Sequence, residues 1–155
     1  MTTPVDRVRQ ALASQGLQVE ITEFNQSTAT SQQAADALGV PVAAIVKSLV
    51  FLVDERPVLV LASGANRVDT RKLAQAAGGR VGKAGAERVK AATGFTIGGV
   101  PPVGHSRPLP TYIDRDLLGY DLVWAAAGSP YAVFPVTPQE LVRITSGWVV
   151  DLAQG

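Results

Sequence analysis

The 155-residue sequence predicts a mixed α/β fold, with one domain over residues 1–155, a largely antiparallel central sheet and short surrounding helices. Two apolar runs, Ile45 to Val53 and Val58 to Ala62, flank a turn-forming Asp-Glu-Arg-Pro segment, as in an antiparallel hairpin. Because both runs are apolar on both faces, the hairpin is expected at the centre of the sheet. The other strand-like segments alternate irregularly with short helical ones, which favours a mixed sheet over a doubly wound one.

The N-terminal half contains two helices and one strand before the hairpin. Thr3-Pro4 combines a capping residue with a proline at the first helical position, and Gly16 ends that helix. Val19 to Phe24 alternates apolar and polar residues, which predicts a half-buried strand. Thr30, with a glutamine three residues later, predicts a capping box for a helix that ends at Gly39.

The C-terminal half contains three helices and four short strands. Asp69 can cap a helix that ends at a Gly-Gly pair, and another helix is expected from about 84 to 92, with Gly94 as its end signal. Residues 137–140, Thr-Pro-Gln-Glu, combine a capping box with an early proline, and Gly147 ends the helix that they begin. Trp148 to Leu152 is a predicted last strand. The earlier strands are expected at 112–113, 122–126 and 132–136.

The composition excludes several classes of active site. The sequence has no cysteine, so a disulfide, a thiolate metal site and a cysteine nucleophile are excluded. With one histidine, His105, a zinc site would depend on carboxylates, and no Gly-x-Ser-x-Gly motif indicates a serine hydrolase. We therefore expect no metal and no cofactor. The chain lacks a signal sequence and an apolar run of roughly 20 residues, which predicts a cytoplasmic protein without a membrane partner.

Basic residues are concentrated in one stretch of a chain whose net charge is only +1. Between Arg67 and Lys90, seven basic side chains outnumber two acidic ones, a local excess of +5. Such asymmetry suits a nucleic acid, because phosphate neutralisation supplies much of the affinity, although two solvated helix faces would give the same pattern. The residues expected to contact phosphates are Arg67, Arg71, Lys72, Lys83 and Lys90.

Lys47 is the only charged residue in the predicted strand Ile45 to Val53. An ammonium group among apolar neighbours is costly unless a negative or strongly polar group meets it. Lys47 could therefore bind a phosphate or polarise an ester carbonyl; alternatively, it extends its ammonium into water from a strand end. Ser48 points to the opposite face of a regular strand, so only its backbone is expected to reach the same site.

The loop Gly98 to Gly104 and the segment 125–130 are the other candidate ligand-contacting segments. In the loop, glycines allow backbone N–H groups to approach a ligand closely and prolines stiffen the chain, although a simple turn is the alternative. His105 directly follows the loop, and its role is open. The small residues of 125–130 either pack a helix against the sheet or form the wall of a pocket for a small substrate group.

Six segments, in order along nearly the whole chain, carry a resemblance to a known family. They are Leu38-Gly39, Val46 to Leu49, Thr93 to Phe95, Gly98 to Gly104, Leu109 to Asp114 and Thr137 to Leu141. No single motif is decisive, but together they resemble the YbaK/prolyl-tRNA-synthetase editing-domain family, whose members hydrolyse wrongly charged tRNA.

The resemblance implies a YbaK-like fold and a free-standing trans-editing deacylase of mischarged tRNA, most often tRNA for proline, with prolyl-tRNA synthetase as a candidate partner. Phe24 stands where members that remove cysteine tend to have tyrosine, and Ala126 to Tyr131 replaces their Ser-Gly-Gly-Lys-Arg-Gly turn. Both departures argue against cysteine as the amino acid removed, and the second makes the pocket wall apolar. The predicted catalytic residues are Lys47, Gly98 and Gly99, and the predicted substrate-binding residues are Phe24, Ser48, Val100, Pro102, Gly104, His105, Ala127, Gly128 and Ser129.

An aminoacyl ester is already activated, so its hydrolysis needs only an oriented ester, a placed water and donors for the developing oxyanion. Backbone N–H groups at Gly98 and Gly99 could be those donors, with Lys47 on the carbonyl or terminal phosphate and the vicinal ribose hydroxyl assisting proton transfer. Two other functions fit the sequence. One is a non-catalytic module that binds aminoacyl-tRNA or a synthetase; the other is a hydrolase of small acyl esters, against which the basic stretch argues.

Overall fold

The computed structural model describes residues 2–155, which form five α-helices and eight strands in two sheets. The helices are α1 (Pro4–Ser14), α2 (Ser31–Leu38), α3 (Thr70–Ala77), α4 (Ala86–Thr93) and α5 (Pro138–Thr145). The strands are β1 (Thr22–Glu23), β2 (Val46–Val53), β3 (Arg56–Ser63), β4 (Val81–Lys83), β5 (Thr111–Asp114), β6 (Val123–Ala126), β7 (Ala132–Val136) and β8 (Trp148–Val150). The predicted mixed α/β fold is confirmed, and no membrane-spanning helix is found among the described residues.

The larger sheet has the strand order β4-β2-β3-β5-β8, with the β2–β3 hairpin inside it as predicted. Asp54 and Glu55 join the hairpin with φ angles of 49° and 69°, the left-handed backbone that a two-residue turn requires. The strands β4, β2 and β3 are antiparallel, whereas β5 and β8 run parallel to β3. A second, smaller sheet has the strand order β1-β7-β6. The sequence analysis predicted one sheet and did not assign these strands to a separate one.

Most helix ends follow the predicted capping. Thr3 and Thr30 both form complete capping boxes, and the Asp69 carboxylate accepts from the backbone N–H groups at the start of α3. These short side chains satisfy backbone donors that have no partner inside the first helical turn. The helices are thus fixed locally by their own sequences.

The fifth helix departs from the expectation at both ends. The Thr137 hydroxyl accepts from the Glu140 N–H at 3.2 Å, but the Glu140 carboxylate pairs with Arg143 at 2.7 Å instead of completing a capping box. Ser146 adopts the left-handed conformation that ends the helix, with a φ of 52°. Gly147, expected in that role, follows one residue later.

Two predicted strands are shorter than expected. Val19 to Phe24 contributes only Thr22–Glu23, which pair with the edge of β7. The final strand stops at Val150, although Leu152 is fully buried and continues the core. Alternation of apolar residues indicates which side chains are buried, but a strand also needs a neighbouring strand to pair with. Both predicted segments are longer than the stretch over which such a neighbour is present.

The alternation of β2 divides its side chains between two apolar clusters. Val46 and Val50 face the larger cluster, which lies between the sheets and includes residues of α1, α4 and α5. Leu49 and Phe51 face the smaller cluster, which includes Leu73 of α3. Consecutive residues of β2 therefore lie on opposite faces of the sheet.

Candidate functional site

A cavity of about 440 Å³ lies at the edge of β2, where this strand separates from β6. The two strands bridge at Ile45 and Trp124, and beyond that bridge they line the cavity together with the start of α2 and the loop after α4. Ligand sites commonly span about 300–1,000 Å³, so the cavity suits a small chemical group. The other lining residues are Thr28 to Ser31, Ala34, Val46 to Leu49, Ile97, Gly98, Val100, Ala125, Ala126 and Val133.

The hydrogen-bond register determines which backbone groups of β2 face the cavity. The Gly64 N–H donates to the Ile45 carbonyl at 2.7 Å, so odd-numbered residues of β2 bond to β3. In agreement, the Ser63 N–H, opposite Val46, turns away from β2 to the Asp114 carboxylate at 3.1 Å. Even-numbered residues therefore direct their N–H and C=O groups to the other edge. There β4 pairs only with 51–53 and β6 bridges only at Ile45, so no strand is paired with the backbone of Ser48.

The Lys47 ammonium is held by a hydrogen-bond network on the α3 side of the sheet. Its Nζ donates to the Asn66 carbonyl at 2.6 Å. The Asn66 side-chain amide in turn donates to the carboxylates of Asp114 and Asp116, each at 2.8 Å. Asp114 is 1% exposed and also accepts the Ser63 N–H, so the network is anchored in the core. Lys47 thus lines the cavity with its ammonium fixed by this network.

The surroundings of Lys47 lower its pKa below the usual lysine value. Burial is the main cause, because it disfavours the charged form; the nearby Arg67 adds to the effect, and Asp114 opposes it. A partly buried lysine with a lowered pKa beside a cavity is typical of a functional group.

Ser48 has the only buried side-chain polar atom without a hydrogen-bond partner among residues 2–155. Because β2 is regular, its hydroxyl lies on the opposite face from the Lys47 side chain, as the sequence predicted. The cavity nevertheless touches both residues, since it opens at the edge of the strand. Ser48 can therefore present both its side chain and its backbone to a ligand.

The two adjacent glycines of the predicted site have different positions. Gly98 lines the cavity with a φ of 94°, and an added Cβ would lie 3.1 Å from the Ala29 Cβ. Gly99 lies behind it, where an added Cβ would come within 2.9 Å of the Ser129 backbone. The Gly99 N–H donates to the Thr96 carbonyl at 3.0 Å, so it is not free to stabilise an oxyanion as expected.

The second half of the glycine-rich loop does not reach this cavity. Val100 lines it, but Pro102, Gly104 and His105 line a separate cavity of about 230 Å³ with residues of α1 and α5. The chain crosses from one side of the core to the other within this loop. The sequence analysis placed these residues in one site because they are consecutive in the chain. Pro102, Gly104 and His105 lie outside the cavity at the β2 edge.

His105 instead stabilises its own loop. Its Nε2 lies 2.6 Å from the Pro101 carbonyl, and its ring packs edge-on against Phe95 with centroids 6.3 Å apart. Burial lowers the pKa of His105, and the bond to Pro101 only partly opposes this. The unfolded chain therefore binds a proton on His105 at a higher pH than the folded protein does.

This difference predicts a loss of stability in mild acid. Between the usual histidine value of 6.5 and the lowered pKa, the unfolded state binds more protons, so stability falls as the pH falls through that window. His105→Gln should remove part of this loss while keeping a donor for Pro101. Melting temperatures from about pH 7.5 to about pH 5 measure the effect; an unchanged pH dependence in the variant would contradict it.

The predicted pocket wall is shifted by one residue. Ala126 lines the cavity, whereas Ala127 is fully buried and donates its N–H to the Ala132 carbonyl at 2.9 Å. Gly128 packs against α1, where an added Cβ would lie 2.7 Å from the Pro4 carbonyl oxygen. Ala127 and Gly128 therefore belong to the core and do not line this cavity.

Phe24 and Ser129 do not line the cavity, and both form hydrogen bonds with the backbone of Tyr131. The Phe24 N–H donates to the Tyr131 carbonyl at 2.8 Å, and the Ser129 hydroxyl accepts from the Tyr131 N–H at 3.0 Å. The site therefore includes neither Phe24 nor Ser129 as a direct ligand contact.

Among the basic residues, Lys72 has a structural partner. Its ammonium lies 3.0 Å from the Asp151 carboxylate and donates to the Ala153 carbonyl at 2.7 Å. These contacts attach the C-terminal segment to α3. Lys72 is therefore a poor candidate for phosphate binding.

The other four basic residues are exposed and lie on different elements. Arg67 is close enough to Lys47 to influence its pKa, and Arg71 lies in the first turn of α3. Lys83 is at the end of β4 and Lys90 is on α4. Arg67 and Arg71 form the α3 pair, and Lys83 and Lys90 the β4–α4 pair.

Sequence reasoning missed several residues of the site, including Asn66, Asp114 and Trp124. Asn66 acts through its backbone carbonyl, which has no sequence signature. Asp114 could have been found, since it is an acidic residue directly after an apolar strand, where burial of a charge requires a partner. Trp124 was assigned to a strand, but its contact with β2 depends on how the two sheets meet.

Comparisons with known proteins agree with this geometry. Residues 25–144 match the family model of the aminoacyl-tRNA editing domain. A crystal structure provisionally described as a trans-editing enzyme for prolyl tRNA synthetase is 47% identical, with a TM-score of 0.94, over 100% of this chain and 99% of that one.

Two bacterial relatives are also similar over most of their lengths. The uncharacterized protein YwhH of Bacillus subtilis is 35% identical over 123 residues, 79% of this chain and 78% of the relative. EbsC of Enterococcus faecalis, provisionally named a Cys-tRNA(Pro)/Cys-tRNA(Cys) deacylase, is 25% identical over 131 residues, 83% of this chain and 80% of the relative.

Proposed function

The chain belongs to the aminoacyl-tRNA editing-domain family and is an aminoacyl-tRNA hydrolase, and we propose that it removes a small amino acid from mischarged tRNA for proline. The observation that carries the proposal is the cavity at the β2 edge, which combines Lys47, small side chains and unpaired polar groups of Ser48. We propose that residues 1–155 act as one editing domain in the cytoplasm, with prolyl-tRNA synthetase as a partner. The description of the similar trans-editing structure supports that partner.

The chemistry that we propose needs no covalent intermediate. A water attacks the ester carbonyl, the bond between the carbonyl carbon and the ribose oxygen breaks, and the ribose oxygen leaves as a hydroxyl after receiving a proton. The vicinal ribose hydroxyl relays that proton from the attacking water to the leaving ribose oxygen. Lys47 stabilises the developing negative charge or holds the terminal phosphate, and Gly98 allows the loop to approach the ester closely.

Small side chains in the cavity support a small aminoacyl group, such as alanine or serine. Ala34, Ala125, Ala126 and Val133 form much of the wall, and none of them is charged. A pocket of this kind excludes bulky side chains by volume. It discriminates weakly between groups that differ by one methylene, a difference worth only about 1–3 kcal/mol.

Ala126→Leu is expected to reduce deacylation of alanyl-tRNA for proline by roughly tenfold or more, because three added carbons fill the substrate space. Ala126 is only partly buried, so the fold should tolerate the change. Initial rates with alanyl and glycyl esters measure the effect, with glycyl-tRNA less affected. Equal rates for variant and parent would place the substrate elsewhere.

The exposed basic residues are proposed to bind tRNA phosphates. Reversing the α3 pair, Arg67→Glu with Arg71→Glu, should weaken tRNA binding and lower the slope of log affinity against log salt by about one per lost contact. The β4–α4 pair, Lys83→Glu with Lys90→Glu, tests whether the tRNA-binding surface includes these two elements. Unchanged binding in both double variants would show that these are solvated faces only.

A further inference from the structure

Ser48 lines the cavity and has three polar groups without a partner in the described part of the chain, at one point of the β2 edge. Its hydroxyl is buried and lacks a partner among residues 2–155. Its N–H and C=O point away from β3, toward an edge where β4 pairs only with 51–53 and β6 bridges only at Ile45. Buried polar groups are normally paired, so this arrangement indicates a ligand that supplies the missing partners.

An aminoacyl group has the complementary set of polar groups. Its α-ammonium donates and its ester carbonyl accepts, on either side of one α-carbon, in the same order as the N–H and C=O of a strand residue. Peptides commonly bind to exposed strands by continuing the sheet in this way. A single amino acid is long enough to pair with the single residue Ser48.

We propose that the aminoacyl group binds as a one-residue extension of β2 and that Ser48 determines specificity for a free α-amino group. The Ser48 carbonyl and hydroxyl accept from the α-ammonium, and the Ser48 N–H donates to the ester carbonyl. This proposal rests on the proposed function, since it describes how the same cavity holds its substrate. It also provides a donor for the oxyanion, which the Gly99 N–H does not, because that group is bonded to Thr96.

The lining of the cavity offers the ammonium neutral acceptors only, and Ser48 is the one with a buried hydroxyl that has no partner in residues 2–155. No carboxylate lines the cavity in the part of the chain that the structure describes, and Lys47 is the only charged residue there. An ester without the ammonium, or with that nitrogen acylated, leaves the Ser48 acceptors unpaired. The enzyme should therefore spare hydroxyacyl-tRNA and N-acylated aminoacyl-tRNA, including peptidyl-tRNA.

The test compares three esters of tRNA for proline that share one side chain: alanyl, lactyl and N-acetylalanyl. Parent protein should hydrolyse the alanyl ester with a kcat/KM at least about tenfold above the other two, since a site built to bond a polar group rejects analogues that lack it. Ser48→Ala should lower kcat/KM for the alanyl ester and narrow the alanyl-to-lactyl ratio at least about threefold, whereas Ser48→Thr should retain both. Ser14→Ala, on α1, is the matched control and should change neither value.

Each outcome decides the proposal. Equal rates of the parent protein on alanyl and lactyl esters would overturn the role of Ser48 and leave the hydrolase activity standing. An unchanged alanyl-to-lactyl ratio in a folded Ser48→Ala protein would do the same. If Ser48→Ala does not fold, the proposal is decided by the rates of the parent protein on the alanyl, lactyl and N-acetylalanyl esters. Failure of the parent to hydrolyse any mischarged tRNA would remove the proposed function, and this proposal with it.

Discussion

Lys47→Ala is expected to hydrolyse mischarged tRNA at least about tenfold more slowly than the parent, with little change in melting temperature. Removal of one donor aimed at developing charge typically costs about 10²–10³ in rate, and tenfold is a conservative minimum. The fold should survive, because burial lowers the pKa of Lys47 and so makes its charged form unfavourable in the folded state. Single-turnover deacylation and thermal melts of both proteins measure the two effects.

Lys47→Arg tests whether a different positively charged side chain can replace the Lys47 ammonium. A planar guanidinium is larger than an ammonium and does not fit the contact with the Asn66 carbonyl, at 2.6 Å, in the same way. We therefore expect poor rescue of the rate. Near-parent deacylation by a folded Lys47→Ala protein would remove Lys47 from the catalytic site and leave the Gly98 loop and the β2 edge as its only components.

Gly99→Ala is expected to reduce both stability and activity, although Gly99 does not line the cavity. A Cβ at this position would lie 2.9 Å from three backbone atoms of Ser129, and backbone cannot move aside as a flexible side chain can. Overpacking of this kind typically costs about 1–3 kcal/mol. The displaced loop would carry Gly98 with it, and a shift of about 1 Å at a reacting centre can cost about 10²-fold in rate.

Gly82→Ala is the matched control for this variant. Gly82 lies in β4, its φ is not in the left-handed region, and no atom lies within 4 Å of an added Cβ. Urea melts and deacylation rates should therefore be close to those of the parent. If Gly99→Ala behaves like Gly82→Ala in both measurements, contact of the loop with the Ser129 turn does not position the ester.

Local signals explain why much of the fold could be predicted from the sequence. The capping residues Thr3, Thr30 and Asp69 act within one helical turn, and the β2–β3 hairpin is specified by two apolar runs around a short turn. Lys47 was identified because a charge among apolar residues is costly wherever the strand lies. These features depend on neighbours in the sequence and not on distant contacts.

The composition of the cavity could not be predicted in the same way. Whether Ala126 or Ala127 faces the substrate depends on the register of β6 with β7, and a shift of one residue exchanges the two faces. The path of the glycine-rich loop across the core separates Gly98 from His105, which are only seven positions apart. The unpaired edge at Ser48 arises because β4 and β6 each cover only part of β2. All three depend on tertiary packing.

Multiple-turnover deacylation of tRNA for proline charged with alanine, serine, cysteine or proline tests the proposed activity most directly. We expect each protein molecule to hydrolyse many alanyl or seryl esters and to spare the prolyl ester, and we expect rising salt to slow the reaction. Tight binding of all four charged tRNAs without turnover, or hydrolysis of the prolyl ester as fast as the alanyl ester, would contradict the proposed activity.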